Sequence, residues 1–168
     1  LTNFVLARPA PARAVAGREP SVSVVVAARN EAGNIAGIFA RTPEMGSSTE
    51  IVFVEGHSAD GTYDAIDAER RKHPHRPTKL LRQTGKGKGD AVRLGFREAS
   101  GDILMILDAD LTVPPEDLPR FYEALRSGMA EYVNGVRLVY PMEDEAMRFF
   151  NLAGNKFFSL AFSWLLGQ

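Results

Sequence analysis

"VSVVVAA", residues 22–28, is a run of mostly β-branched and almost continuously apolar residues. Such a run is typical of a strand that is buried on both faces of a parallel sheet. Further strands are predicted in four other stretches: EIVFVE at 50–55, TKLLRQ at 78–83, DILMIL at 102–107 and EYVNGVRL at 131–138.

Helical patterns occupy the intervals between these strands. They are RNEAGNIAGIFAR at 29–41, YDAIDAERRKH at 63–73 with Asp60 as its expected N-cap, AVRLGFREAS at 91–100, PEDLPRFYEALRSG at 115–128 and EAMRFFNLAGNKFFSLAFSWLL at 145–166. Strands that alternate with helices are joined by right-handed crossovers. The predicted fold class is therefore α/β, with a doubly wound, mostly parallel sheet and helices on both faces.

The composition indicates one domain. The chain has 168 residues, of which 45% are apolar, and this is enough for one buried core. Residues 1–20 are rich in Ala, Pro and Arg and are predicted to be a tail or linker, so the domain is predicted to cover 21–168. Because the sequence stops directly after an apolar helical pattern, we expect this domain to be truncated on its C-terminal side. The net charge of -1 argues against nucleic acid as a partner, and the absence of cysteine excludes disulfides.

Two aspartates, Asp108 and Asp110, follow the strand predicted at 102–107. In an extended segment residues two apart point the same way, so both carboxylates can face one point. No basic residue adjoins them in the sequence, and their repulsion is relieved either by sharing a proton or by a divalent cation. Hard oxygen ligands favour Mg²⁺ or Mn²⁺. The alternative is that one aspartate caps the following turn and the other is solvated.

The loop TGKGKGD, residues 84–90, precedes a predicted helix and combines glycines with Lys86 and Lys88. Glycines at such a place let backbone N–H groups approach phosphate, and the lysines add positive charge. Neither the P-loop pattern nor the dinucleotide-binding pattern fits, because, counted from Gly85, Asp90 stands where each pattern has its last glycine. The alternative is a flexible, solvated turn.

The first two strand ends also carry polar residues. Asn30 and Glu31 stand at the start of a helix, where they either contact a ligand or cap the helix and favour its dipole. Glu55 ends the second strand, where it either accepts a hydrogen bond from a nucleotide base or is solvated. Ligands of such sheets bind beyond the carboxyl ends of the strands, so the four loops at these ends are expected to converge. The three histidines form no metal-binding pattern and are interpreted as surface or loop residues.

The last predicted helix has two distinct faces. One carries Arg148, Asn151 and Asn155. The other carries an apolar stripe made of Phe150, Phe157, Ala161, Trp164 and Leu165. Such a stripe is typical of a core or domain interface, and it also permits a helix that lies along a bilayer surface.

Taken together, these stretches resemble the family 2 glycosyltransferases, whose fold is the Rossmann-like GT-A fold. The segments that carry the resemblance over roughly 21–168 are SVVVAARNEAGNI, IVFVEGHSADGTYD, GKGKGDAVRLGF and GDILMILDADLTVPPEDLPRF. The segment NGVRLVYPMEDEAMRFFNLAGNKFF more loosely resembles the branch that includes dolichyl-phosphate mannose synthase and the polyprenyl-phosphate glycosyltransferases.

The resemblance implies a role for each matching residue. Asp108 and Asp110, with Ala109 between them, would hold the divalent ion against the donor diphosphate. The nucleotide would be lined by Ala28, Asn30, Glu31, Lys88, Gly89 and Asp90, and the acceptor phosphate would be bound by Arg137 and Arg148. Glu55 stands where the family usually has the first Asp of an Asp-Asp-Gly-Ser turn, so the base is left open between UDP and GDP.

The resemblance further implies metal-assisted, inverting transfer of a sugar from a nucleoside-diphosphate sugar to a polyprenyl or dolichyl phosphate, in glycan or cell-wall synthesis. The implied partners are the donor, a lipid-phosphate acceptor and a membrane surface contacted through the last helix, on the cytoplasmic side, with an oligomer permitted. Two alternatives stay open. One is a catalytically incompetent nucleotide-binding or membrane-docking module of a larger protein, and the other is a nucleotidyltransferase.

Overall fold

The structure, a computed structural model, describes residues 18–128 and 130–135. The elements below lie in a compact unit, Leu1–Val133, and a second unit comprises Asn134–Gln168. The predicted tail up to residue 17, the long last helix, and both Arg137 and Arg148 lie outside the described residues.

Within the described ranges, strands and helices alternate along the chain as predicted. The strands are β1 (Val22–Ala28), β2 (Thr49–Glu55), β3 (Thr78–Arg82) and β4 (Ile103–Ile106). The helices are α1 (Ile35–Arg41), α2 (Thr62–Lys72), α3 (Lys88–Glu98) and α4 (Leu118–Arg126), with short 3-10 turns at Ala32–Asn34 and Pro115–Asp117.

The described strands form one parallel sheet in the order β3-β2-β1-β4. β1 lies at its centre, where Val25 pairs with Val52 of β2 and with Ile106 of β4. Chain order and spatial order differ because α3 carries the chain from β3 across the sheet to β4. The predicted α/β class with a parallel sheet is confirmed.

Helices cover both faces of the sheet. Val24 and Val26 of β1 pack into a core with Ile38 of α1 and Ile66 of α2. Val25, which points the opposite way, packs against α3 at Gly95. All three valines have no exposed surface, which confirms that β1 is buried on both faces as its apolar run predicts.

Some element limits differ from the prediction. α3 begins at Lys88 rather than at Ala91, because Gly87 (φ 84°, ψ 158°) makes the turn that starts it. Lys88, Gly89 and Asp90 therefore form the first turn of a helix instead of a loop. α2 has Gly61 at its cap position, so the expected N-cap at Asp60 is wrong. Asp60 lies one residue before the cap and accepts a hydrogen bond from the Thr62 N–H (3.1 Å).

The predicted fifth strand is not seen in its described part. Residues 131–135 have no strand conformation, and the rest of that stretch lies outside the described residues. Among the described residues, Leu104 and Ile106 of β4 are large apolar residues that stay exposed, by 40% and 47% respectively.

Candidate functional site

A cleft of about 550 Å³ lies beyond the carboxyl ends of the strands. Each of the four strand-end loops contributes to its wall, and the polar lining residues are Arg29, Glu31, His57, Gln83, Lys86, Lys88, Asp108 and Asp110. The expected convergence of the loops is therefore found.

The predicted site residues divide into three sets. Those that line the cleft are Ala28, Glu31, Lys88, Asp108, Ala109 and Asp110. Those described but not part of its lining are Asn30, Glu55, Gly89 and Asp90. Arg137 and Arg148 lie outside the described residues.

Three loops around the cleft contain a non-glycine residue in the left-handed region. These are Asn30 (φ 57°), His57 (φ 59°) and Leu111 (φ 55°), which follow β1, β2 and β4 respectively. They are the only such residues in the described ranges. This conformation costs free energy and persists only where neighbouring contacts impose it. Its occurrence in three loops around one cleft marks a site that is held in a fixed shape.

Asn30 joins the first loop to the second. Its Oδ1 accepts a hydrogen bond from the Ala59 N–H (2.9 Å), and its own N–H donates to Ser58 Oγ (3.0 Å). The capping alternative for Asn30 is not found, since α1 has Asn34 at its cap position. Glu31 is held nearby, where its N–H donates to Thr62 Oγ1 (2.9 Å).

Glu55 is buried and is not part of the cleft lining. Its Oε1 accepts a hydrogen bond from the Ser58 N–H (2.5 Å), and the residue lines a second cavity of about 390 Å³. Arg82 lines the same cavity, with its guanidinium 4.1 Å from the centre of the Tyr63 ring. The solvated alternative for Glu55 is therefore wrong, and its contact with a base stays a prediction.

Gln83 holds the glycine- and lysine-containing loop at residues 84–90 in place, a role that no sequence pattern predicts. The Gln83 side chain is buried, and its Nε2 donates to the Gly87 carbonyl (2.8 Å) and to Asp90 Oδ2 (2.9 Å). The same Asp90 oxygen accepts from the Gly85 N–H (3.2 Å), and a Cβ on Gly85 would lie only 2.6 Å from it. These hydrogen bonds hold the backbone of the loop at Gly85 and Gly87, while the side chains of Lys86 and Lys88 are exposed.

Asp110 and Asp108 have different partners. Asp110 Oδ1 accepts hydrogen bonds from the N–H (3.0 Å) and the hydroxyl (2.9 Å) of Thr112, which fixes the carboxylate in the turn after β4. Asp108 Oδ1 forms an ion pair with the ammonium of Lys88. No basic residue adjoins the two aspartates in the sequence, but the fold brings Lys88 to Asp108 from twenty residues earlier.

The donor set fits a hard divalent cation with few protein ligands. The cleft offers two carboxylates, and among the described residues no group of three or more acidic, His or Cys side chains could hold a metal ion. An ion held by Asp108 and Asp110 would take its other ligands from water and from a bound phosphate, as Mg²⁺ commonly does.

The sequence profile of glycosyl transferase family 2 matches residues 23–164, and the chain belongs to this family. Dolichol-phosphate mannosyltransferase from Pyrococcus furiosus is 38% identical over 122 residues, which cover 68% of this chain and 34% of that protein. The protein of that name from Saccharomyces cerevisiae is 37% identical over 108 residues, covering 61% of this chain and 40% of the relative. The chain therefore spans between a third and two fifths of the length of these relatives.

Solved structures also resemble this chain, both in sequence and in fold. A mannosyltransferase from Pyrobaculum calidifontis, in complex with GDP-Man and Mn²⁺, is 31% identical with a TM-score of 0.55, covering 66% of this chain and 32% of that one. Glucosyl-3-phosphoglycerate synthase from Mycobacterium tuberculosis, in complex with Mn²⁺, UDP-glucose and phosphoglyceric acid, is 26% identical with the same TM-score of 0.55, covering 68% and 42%. The GT-A fold and the resemblance to the polyprenyl-phosphate branch are confirmed.

The predicted membrane contact involves the last predicted helix, which lies outside the described residues. Across 18–128 and 130–135, none of the helices has the length and apolar character needed to cross a bilayer.

Proposed function

We propose that this chain forms the donor side of a glycosyltransferase that moves a sugar from a UDP- or GDP-linked donor to a polyprenyl or dolichyl phosphate. The observation that carries the proposal is that two carboxylates, Asp108 and Asp110, line the same cleft as the lysine-bearing glycine loop that Gln83 holds in place. A diphosphate and a divalent ion together match this mixture of charges. The two relatives named dolichol-phosphate mannosyltransferase support a lipid-phosphate acceptor.

Within this proposal Asp108 and Asp110 hold Mg²⁺ or Mn²⁺. A bound ion of this kind neutralises charge that grows on a leaving diphosphate. Lys86 and Lys88 add positive charge on the same wall of the cleft. Gln83 and Asp90 keep the loop that carries both lysines in place.

Ala28, Asn30, Glu31 and Gly89 are proposed to border the base, the ribose and the diphosphate. Glu55 is proposed to contact the base from the second cavity, and Ala109 spaces the two metal-binding aspartates. Arg137 and Arg148 are proposed to bind the acceptor phosphate at the cytoplasmic face of a membrane.

The reaction proceeds with inversion at the anomeric carbon. An acceptor phosphate oxygen attacks this carbon from the face opposite the nucleotide, a carbon–oxygen bond forms, and the bond to the diphosphate oxygen breaks with its electron pair on the leaving group. A phosphate monoester is an anion near neutral pH, so this attack requires no protein base.

A transfer assay tests the proposal. The protein is incubated with Mn²⁺, a polyprenyl phosphate in detergent and radiolabelled UDP- or GDP-sugars, and label is measured in the lipid phase. Transfer is expected from either UDP-linked or GDP-linked sugars, but not from both. It is expected to fall at least about a hundredfold in Asp110→Asn, because the variant loses a charged carboxylate that holds the ion at the leaving diphosphate. Asp117→Asn, which removes an exposed carboxylate outside the cleft, serves as the matched control and is expected to keep wild-type activity.

Two results would contradict the proposal. Donor binding without transfer to any polyprenyl phosphate would support an incompetent nucleotide-binding module. Pyrophosphate release from a nucleoside triphosphate would support a nucleotidyltransferase.

A further inference from the structure

The ion pair between Lys88 and Asp108 has a consequence for the order in which ligands bind. Both residues line the cleft, and the ammonium of Lys88 contacts Oδ1 of Asp108, one of the two carboxylates proposed to hold the ion. The side chains are 61% and 32% exposed, so the pair is open to exchange with ions from solvent. A divalent cation that approaches Asp108 therefore meets a positive charge already in place.

The backbone around Lys88 is fixed although its side chain is exposed. Gly87 makes the turn before it, and the Gly87 carbonyl accepts from the buried side chain of Gln83 (2.8 Å). Asp90, two residues on, is held by the same amide (2.9 Å). The side chain of Lys88 is therefore exposed on a backbone that Gln83 holds, in the same cleft as Asp108.

We infer that Lys88 is a partner-exchanging residue that couples metal binding to nucleotide binding. With the cleft empty, its ammonium neutralises Asp108 and weakens the affinity for a divalent ion alone. When a nucleoside diphosphate binds, the phosphate oxygens replace Asp108 as partners of the ammonium, and the Asp108 carboxylate becomes available to the ion. The inference rests on the proposed function, and it concerns cooperativity between the two ligands rather than the chemistry of transfer.

This exchange predicts opposite effects of one substitution on two affinities. Lys88→Gln removes the competing charge, so the Kd for Mn²⁺ without nucleotide is expected to fall about two- to fivefold, the range for an exposed ion pair. The same substitution removes a charged contact with the diphosphate, so the Kd for UDP or GDP at saturating Mn²⁺ is expected to rise about tenfold. A residue that only stabilised the fold would not shift the two affinities in opposite directions.

The experiment measures free Mn²⁺ by electron paramagnetic resonance and nucleotide binding by calorimetry, for the wild type and three variants. Lys88→Arg keeps a cation beside Asp108 and is expected to bind Mn²⁺ like the wild type. Arg97→Gln removes a positive charge from the last turn of the same helix, outside the cleft, and leaves the ion pair intact, so its Kd for Mn²⁺ alone is expected to change less than twofold. Thermal melts of each variant establish that it is folded.

The inference is overturned if Lys88→Gln binds Mn²⁺ alone no more tightly than the wild type does. If Mn²⁺-dependent nucleotide binding by the wild type persists in that case, the proposed function stands without the exchange. A wild-type chain that binds no nucleoside diphosphate with Mn²⁺ overturns both.

Discussion

Glu50 is a buried carboxylate that the fold keeps ionised at the end of the sheet opposite the cleft. Its Oε1 accepts from the hydroxyl of Ser23 (2.6 Å) and from the Ser100 N–H (2.6 Å), and Lys79 lies 3.3 Å from Oε2. Burial acts to raise the pKa of Glu50, but the hydrogen bonds from Ser23, Ser100 and Lys79 outweigh it and hold the pKa below its ordinary value of 4.5. The ionised form is thus bound more favourably by the folded state than by the unfolded chain.

This arrangement predicts how stability depends on pH. A carboxyl whose pKa is lowered by folding contributes stability that is complete above 4.5 and is lost as the pH falls below it. Glu50→Gln is therefore expected to be less stable than the wild type at pH ~7 by about 1–3 kcal/mol, since buried partners are left poorly satisfied. The difference between the two proteins is expected to shrink as the pH falls toward ~3.

Urea unfolding at several pH values measures this effect. Glu123→Gln, which changes an exposed glutamate paired with Arg126, is the matched control and is expected to follow the wild type at every pH. A constant difference between Glu50→Gln and the wild type across the acid range would contradict this account.

At the scale of elements, α3 is the helix whose position determines the cleft. It begins at Lys88 in the cleft and packs closely on the sheet at Gly95, where an added Cβ would lie 2.3 Å from Val25 Cγ1. Val25 is buried and β-branched, so it has little freedom to move aside. The absence of a side chain at Gly95 therefore allows the helix to lie close enough for its first turn to face Asp108.

Gly95→Ala is accordingly expected to destabilise the protein by about 1–3 kcal/mol through overpacking. Gly89→Ala is the control on the same helix, since a Cβ there would meet only Arg93 Nη1 at 3.9 Å. That change is expected to leave the free energy of unfolding unchanged or raise it by up to about 1 kcal/mol, because alanine favours helix. Denaturant unfolding of both variants checks the pair, and equal effects at the two positions would contradict the packing described.

At the scale of the whole molecule, the sequence was sufficient for the fold class because the strands are marked by dense apolar runs. β1 was predicted with its observed limits, and the order of strands and helices follows from their alternation. Loops at the carboxyl ends of parallel strands must meet, so the general place of the site was predictable too.

What the sequence did not reveal depends on contacts between distant residues. The polar run at Lys88–Asp90 has the composition of a loop, yet it starts α3 because Gly87 provides the turn. Gln83 has no distinguishing pattern around it, and its role comes from the Gly87 carbonyl and Asp90 that the fold places beside it. The pairing of Lys88 with Asp108 likewise requires the crossover from β3 to β4.

The central claim is that the cleft binds a nucleoside diphosphate through a divalent ion held by Asp108 and Asp110. The most direct measurement is isothermal titration of UDP and GDP into the chain with Mn²⁺ and again with EDTA, for the wild type and for Asp110→Asn. The account predicts that one nucleotide binds the wild type with Mn²⁺, and that EDTA or Asp110→Asn weakens binding at least about tenfold. Equal affinity with Mn²⁺ and with EDTA, or an Asp110→Asn variant that binds like the wild type, would contradict it.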